Sequence, residues 1–435
     1  MYRKIRPFKS VSIIALGNDH HWIALDNLCH LLSEFHVKIY TTIEYVKELN
    51  RLGCKYYLKH ELEIKEDSES KSNFLTRIRS EIEKSDVIML ETLRTEFEWF
   101  AKNRLNIPVI LFVHCLNWWA FPKKRWPLFR ILRNIKGIRS KLTVFNLIPS
   151  IKGENVANRQ RVLMNVDALV FHDPGMVDYY YSNWSPPFHQ IAVMPYTYYD
   201  PDVILTIKNH GSDNNKGVTK TIRFIVPGSI YQSRRNYDLI LVSFEEASKQ
   251  TQVKIELIFP GPLLRYESNY GLTLKKRFDR INSSNSNLMI HYNSGRETTS
   301  TDEYNGYMQS SDVIVSQMPL NGKKMFKYYD EQYCESTACH YADLARFCKP
   351  GIFPGSFKMI PELAPIVDIY YTESELIEII LKYTNRDFLM NRKSKAERLS
   401  RKYFSKESIM KLFLKQILSE QVNRIETTKH IVGTE

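Results

Sequence analysis

Three features of the sequence predict an α/β chain built on parallel sheets. The runs Val87 to Leu90 and Val109 to Val113 are apolar at every position, as strands covered on both faces require. Between such runs lie amphipathic stretches long enough to cross back as helices. One polar stretch, KNHGSDNNKGVTK at 208–220, interrupts the alternation, which then starts again. A chain of 435 residues exceeds one ordinary core. Two consecutive α/β domains are therefore expected: 1–207, a linker at 208–220, and 221–435, whose C-terminal helices are free to cross back.

In order, Val11 to Leu16 is the first strand and stops at Gly17, and a helical pattern runs through Trp22, Leu25, Leu28, Leu31 and Leu32. Val37 to Thr41 is the next strand. Ser85-Asp86 introduces Val87 to Leu90, Ile107-Pro108 introduces Val109 to Val113, and Asp167 to Phe171 leads through His172-Asp173-Pro174-Gly175 into a helix from Met176. Ile191 to Met194 closes the first half. In the second half, Ile222 to Val226 ends at Pro227-Gly228, and a helix carrying Leu239, Ile240, Val242 and Phe244 follows. Strands are expected at Ile255 to Phe259, Leu288 to His291, Val313 to Val315 and Gly351 to Phe353, with a helix beginning near Glu335 and helices from Glu373 to about Glu420.

Composition excludes several classes. Six scattered cysteines form no C-x-x-C pair, so neither a zinc ribbon nor a disulfide framework is indicated, and a reducing cytoplasm fits best. The basic start MYRKIRPFKSVSIIALG reads as a first strand rather than a signal peptide, because its apolar run is short. No stretch approaches the roughly 20 apolar residues of a membrane span, so any membrane contact is expected to be peripheral. The formal net charge of +13 is concentrated: from Phe121 to Arg161 there are eleven lysines and arginines against the single acid Glu154.

The turn Pro227-Gly228-Ser229-Ile230-Tyr231-Gln232-Ser233-Arg234-Arg235-Asn236 follows a strand and opens a helix. Backbone N–H groups near Gly228 and Ser229 could face an anion there. A guanidinium matches two phosphate oxygens at once, so Arg234 and Arg235 are candidates to grip a diphosphate. The plainer reading makes them solvated first-turn residues, but cations at a helix N-terminus oppose its dipole.

The pattern G-x-I-x-x-x-[RK]-[RK]-N-x-D here, followed about a hundred residues later by E-x7-[ED]-x6-P, resembles the GT-B nucleotide-sugar glycosyltransferases. The likeness is to their large retaining group, glycosyltransferase family 4, which carries an E-x7-E signature. Glu335 and Asp343 occupy the two acidic places, with Pro350 seven residues after Asp343. The resemblance implies two Rossmann-like α/β/α domains facing each other across a cleft. It implies that Arg234 and Arg235 hold the donor diphosphate, Glu335 contacts the donor sugar in a catalytic role, and Asp343 contacts the ribose. Ser336 and Thr337 would add donors to the phosphate, and His291, with Tyr292, would lie near the base, or either would equally serve as a packing residue. The second acid is one methylene shorter than the family's, and its glycine three places after the first acid is Ala338 here. A rival register gives Glu331 the role of Glu335.

The N-terminal domain would present the acceptor from its strand ends: Gly17, Asn18, His20 and His21 after the first strand, Glu91 after the Val87 strand, His114 after the Val109 strand and His172 after the Ala168 strand. A histidine at a strand end serves structure as readily as catalysis, and His114 is the first candidate for a catalytic group. In glycosyl transfer negative charge grows on the leaving diphosphate, which arginines can stabilise, so no metal or other cofactor is expected. Asp200-Pro201-Asp202, the one D-x-D, reads as a turn.

The basic segment 121–141 pairs Leu128, Phe129, Ile131, Leu132 and Ile135 with Arg130 and Arg133 on the opposite side, after Trp118, Trp119 and Trp126. It suits an anionic membrane surface or, equally, a surface helix packed on its own domain. With no nucleic-acid module in the chain, nucleic acid is not an expected partner. Together these readings point to a cytoplasmic hexosyltransferase, peripheral on the inner face of the membrane. It would carry a sugar from a nucleotide-diphosphate donor to a glycan or polyprenyl-linked acceptor in surface polysaccharide biosynthesis, with retention. The alternatives are a nucleotide-sugar 2-epimerase of the same fold and a non-catalytic nucleotide-sugar-binding partner. The absence of G-x-G-x-x-G after the first strand argues against a dinucleotide oxidoreductase.

Overall fold

A computed structural model describes residues 4–17, 22–91, 93, 96–114, 156–183, 190–195, 197–199, 201, 221–228, 230, 235–265, 268–316, 340–357 and 359–418. The chain forms two compact units. One comprises 1–50, 54–195 and 410–435, and the other 51–53 and 196–409.

The first unit runs β1 (Ser10–Ala15), α1 (Trp22–Leu31), β2 (His36–Thr42), α2 (Ile43–Arg51), β3 (Glu61–Lys65), α3 (Lys71–Ile82), β4 (Val87–Leu90), α4 (Phe97–Lys102), β5 (Val109–Val113), α5 (Val156–Asn165), β6 (Ala168–Phe171), α6 (Pro174–Asn183) and β7 (Gln190–Val193). Its seven strands pair in the order β3-β2-β1-β4-β5-β6-β7, and every pairing is parallel. Strands β4, β5 and β6 are buried at every residue. That burial explains their uninterrupted apolar sequence.

The second unit runs β8 (Thr221–Ile225), α7 (Tyr237–Lys249), β9 (Lys254–Pro262), α8 (Ser268–Ser284), β10 (Leu288–Asn293), α9 (Thr301–Ser310), β11 (Val313–Val315), α10 (His340–Arg346), β12 (Gly351–Pro354), β13 (Val367–Tyr370), α11 (Glu373–Thr384) and α12 (Arg386–Phe404), followed by α13 (Lys406–Leu418). Its parallel sheet has the order β10-β9-β8-β11-β12-β13. A continuous core of Phe224, Ile240, Phe244, Leu257, Phe278, Val315, Ile352, Ile380 and Tyr383 joins sheet to helices. At about 25 cal/mol per Å², burying side chains of this size dominates the favourable side of folding.

Several helices start where a side chain satisfies one of their first N–H groups. Ser70 accepts from Asn73 N at 3.1 Å, Asn236 from Leu239 N at 3.2 Å and Ser300 from Glu303 N at 3.2 Å. Thr372 and Glu375 cap α11 reciprocally. Helix α10 ends at Arg346, and the φ of +52° at Cys348 two residues on turns the chain away before Lys349-Pro350.

Two strands, β3 and β13, were not expected from the sequence. Both lie at sheet edges. Each pairs on one side alone, so neither needs an apolar run: ELEIK is part exposed throughout, and VDIY is buried only at its ends. The expected helix start at Glu335, the linker 208–220 and the basic segment 121–141 lie outside the described residues.

Candidate nucleotide-sugar site

In an open parallel sheet the strand order reverses once, and the two connections leaving that point diverge to opposite faces, opening a crevice at the C-terminal strand ends. The second sheet reverses between β8 and β11. Gly228 stands at the end of β8 with φ +91°, and a Cβ there would come within 2.7 Å of both terminal nitrogens of Arg235. Arg235 Nη1 donates to the Pro227 carbonyl at 2.9 Å. The guanidinium is thus folded back across the glycine at the mouth of α7. This is where the sequence placed the diphosphate grip, and the glycine is required twice over, by its φ and by the close approach.

Asp343, on α10, is buried, and its Oδ2 accepts from the Tyr304 hydroxyl at 2.7 Å. Burial raises its carboxyl pKa to about 6, opposed by that hydrogen bond and by Arg346. The same helix is anchored by the Thr197 hydroxyl, which donates to the Ala342 carbonyl at 3.0 Å. Ser316, directly after β11, is fully buried. Among the described residues its Oγ has no hydrogen-bond partner. Counting on from the Ile314 to Ile225 pairing, Ser316 is level with Pro227 across the reversal point. Sequence reasoning missed this serine, whose one signal is its place at a strand end.

His291 and Tyr292 stand together near the end of β10. His291 Nε2 lies 3.6 Å from Glu256 Oε2, and the same carboxylate oxygen is 2.8 Å from Arg223 Nε. Side chains of the three strands β8, β9 and β10 thus meet at the Glu256 carboxylate. Tyr292 packs on Phe278 of α8, with ring centroids 5.2 Å apart, and donates to Asp279 Oδ1 at 2.5 Å. The cause is alternation along β10: Leu288 and Ile290 are buried, and His291 is exposed.

The first sheet reverses between β1 and β4. Glu91 follows β4 there, bound through its N–H to the Ile14 carbonyl at 3.1 Å. His114 follows β5 and lies with Nε2 2.9 Å from Glu91 Oε1 and 3.1 Å from the Glu91 carbonyl oxygen. A carbonyl can only accept, so Nε2 carries the proton, and in the neutral ring the lone pair sits on Nδ1. Both side chains are almost wholly buried. His172, after β6, lies against His114 with ring centroids 4.5 Å apart and the rings inclined at 30°. Its Nδ1 is 2.9 Å from the Met194 carbonyl beyond β7. Burial, and then His114, hold the His172 pKa well below the ordinary imidazole value. The structure therefore gathers Glu91, His114 and His172 at adjacent strand ends. Asn18, His20, His21, Ser229, Arg234, Glu331, Glu335, Ser336 and Thr337 lie outside the described residues.

Two Rossmann-like parallel sheets in succession, each ordered with a single reversal, make up the GT-B fold of nucleotide-sugar enzymes. No protein-family model matches the chain, and no curated protein matches it in sequence. Among solved structures, HepE of Anabaena in complex with UDP-glucose matches 94% of this chain and 99% of its own, at 8% identity and TM-score 0.56. A trehalose-6-phosphate protein of E. coli bound with UDP-2-fluoro glucose matches 95% of this chain and 99% of its own, at 10% identity and TM-score 0.52. The UDP-GlcNAc 2-epimerase of Neisseria meningitidis bound to UDP-GlcNAc matches 94% and 100%, at 13% identity and TM-score 0.50. No helix among the described residues is long and apolar enough to cross a membrane.

Proposed function

We propose that the chain is a glycosyltransferase that moves a hexosyl group, with retention, from a nucleotide-diphosphate donor to a glycan or lipid-linked acceptor in surface polysaccharide assembly. The observation that carries this reading is the Arg235 guanidinium laid over a left-handed Gly228 at the reversal point of the second sheet. Such a turn puts positive charge and backbone N–H groups where a diphosphate leaves with growing negative charge. Arg234 and Arg235 take that charge, so the reaction needs no metal. Gly228, Ser229, Ser336 and Thr337 line the phosphates, Glu335 or Glu331 holds the sugar, and Asp343 faces the ribose.

On the acceptor side, His114 is the base that receives the hydroxyl proton and Glu91 supports it, with Asn18, His20 and His21 as further acceptor-binding residues. The segment 121–141 brings this side to an anionic membrane surface on the cytoplasmic face. Transfer is measured with purified enzyme across a panel of nucleotide sugars. Arg235→Ala is expected to lower donor turnover by at least about 100-fold, as loss of a guanidinium on a developing anion does elsewhere, with Glu335→Ala comparable. If both variants turn over donor at the native rate, the assignment fails. Incubation without acceptor separates the rival: an epimerised nucleotide sugar would identify a 2-epimerase, and tight donor binding without any product would identify a binding partner.

A further inference from the structure

Asp343 stands on α10 at 7% exposure, and Tyr304 of helix α9 donates its hydroxyl to Oδ2 at 2.7 Å. The Tyr304 ring is itself held, for it meets Phe347 of α10 edge to face with centroids 6.4 Å apart. Asp343 and Phe347 are four residues apart and share one face of their helix, so a single tyrosine touches both. The backbone of α10 is fixed on either side of this contact. Before it, the Thr197 hydroxyl donates to the Ala342 carbonyl at 3.0 Å. Beyond it, Lys349 Nζ donates to the carbonyls of Gln309, at 3.0 Å, and Ser311, at the end of α9. The carboxylate is engaged on one oxygen: among the described residues no hydrogen bond reaches Oδ1. A phosphate at neutral pH brings acceptors and negative charge, whereas a sugar hydroxyl brings an O–H donor. Oδ1 therefore suits a hydroxyl.

We propose that Tyr304 is a positioning residue for Asp343: its hydroxyl occupies Oδ2 and fixes the plane of the carboxylate, so that Oδ1 is presented to a hydroxyl of the donor's ribose. The role of Tyr304 rests on the reading of Asp343 as a donor-site residue. Charge is what the tether preserves. Burial, the largest effect, raises the Asp343 pKa to about 6, and the Tyr304 hydrogen bond, followed by Arg346, works against it. Phe347 and Thr197, the other side chains placed around this turn, are uncharged. Helix α12 also packs on α10, and it brings Lys393, Glu397 and Arg401 to Cys348 and Lys349, past the helix end. At neutral pH the carboxylate is ionised and accepts strongly from a hydroxyl. As pH falls through 6 it gains a proton, and that strong acceptor is lost. Without the Tyr304 bond the same loss sets in nearer neutrality.

Aspartate carboxyls labelled with carbon-13 are followed by NMR in the full chain without ligand, with Asp343→Asn to assign the signal. The native Asp343 midpoint is expected at about 6. Tyr304→Phe keeps the ring on Phe347 and loses the hydrogen bond, so the midpoint should rise by about one pH unit. Calorimetric titration at neutral pH then compares UDP with its 2′,3′-dideoxy analogue. The native chain should prefer UDP by at least about tenfold, the value of one hydrogen bond to a charged acceptor. In Tyr304→Phe the preference should fall below about threefold, with affinity for the dideoxy analogue and the melting temperature both near native. A tyrosine that only packs α9 on α10 would leave midpoint and preference where they were. An unmoved Asp343 midpoint, or an equal preference for the ribose hydroxyls in native and variant chains, would overturn the proposal. If neither UDP nor another nucleoside diphosphate binds the native chain, the donor-site reading fails, and the carboxyl titration still decides whether Tyr304 governs Asp343.

Discussion

Gly228 admits no side chain for two separate reasons, its positive φ and the guanidinium 2.7 Å from where a Cβ would stand. Alanine there would force the backbone out of its turn or push Arg235 off the Pro227 carbonyl. Gly228→Ala is therefore expected to cost about 1 to 3 kcal/mol of stability. It should also weaken nucleotide-sugar binding by about tenfold, the value of one charge-assisted contact. Calorimetric titration with a bound donor, beside a melting curve, measures both. Unchanged affinity would mean that Arg235 does not meet the ligand. The glycine and arginine were legible in sequence because a βα turn announces itself by residue type. Ser316 and the contact of His172 with His114 were not, since both come from strands brought side by side, and register across a parallel sheet leaves no local mark.

At the level of elements, the two sheets share a device at the entrance to the strand beyond the reversal. Asp86, before β4, accepts from Lys9 N and Ser10 N at 2.8 Å each. Asp312, before β11, accepts from Arg223 N at 2.9 Å. Each carboxylate satisfies N–H groups of the sheet's first strand just before its pairing with the strand beyond the reversal begins. Both read Ser-Asp-Val-Ile in the sequence, at Ser85 and at Ser311, and the first of these marked its strand in the sequence reading. The edge strands β3 and β13 had no such marker. The two Lys9 and Ser10 N–H bonds are the chief reason the Asp86 pKa lies below the ordinary carboxylate value. A depressed folded pKa means that the stabilisation is complete above the unfolded value, about 4, and is lost as pH falls through the folded one. Asp86→Ala should thus cost about 1 kcal/mol at neutral pH, discounted for an exposed site. The gap from the native protein should close on acidification below about pH 4. A gap that stays constant with pH would show that the carboxylate's charge plays no part.

Across the whole molecule, chain order and contact order part company. Residues 410–435 belong to the first unit although 196–409 belong to the second. Helix α13 supplies the buried side chains Phe413 and Ile417, and Gln416 Oε1 accepts from Val193 N of β7 at 2.9 Å. The first sheet is therefore completed by the last described helix, after the whole of the second unit has been made. Helical periodicity announced that helix, but which sheet it would cover depends on contacts more than two hundred residues distant, beyond the reach of any local pattern. Ending the chain after Ile409 would remove Phe413 and Ile417, and burial of two such side chains contributes about 3 to 6 kcal/mol. That is a large part of the stability of an ordinary domain. The expected result is faster amide hydrogen exchange across β4 to β7, with exchange across β8 to β11 nearly unchanged. Equal acceleration in both sheets would show that α13 stabilises the chain as one body, and no acceleration in β4 to β7 would show that the first unit folds without it.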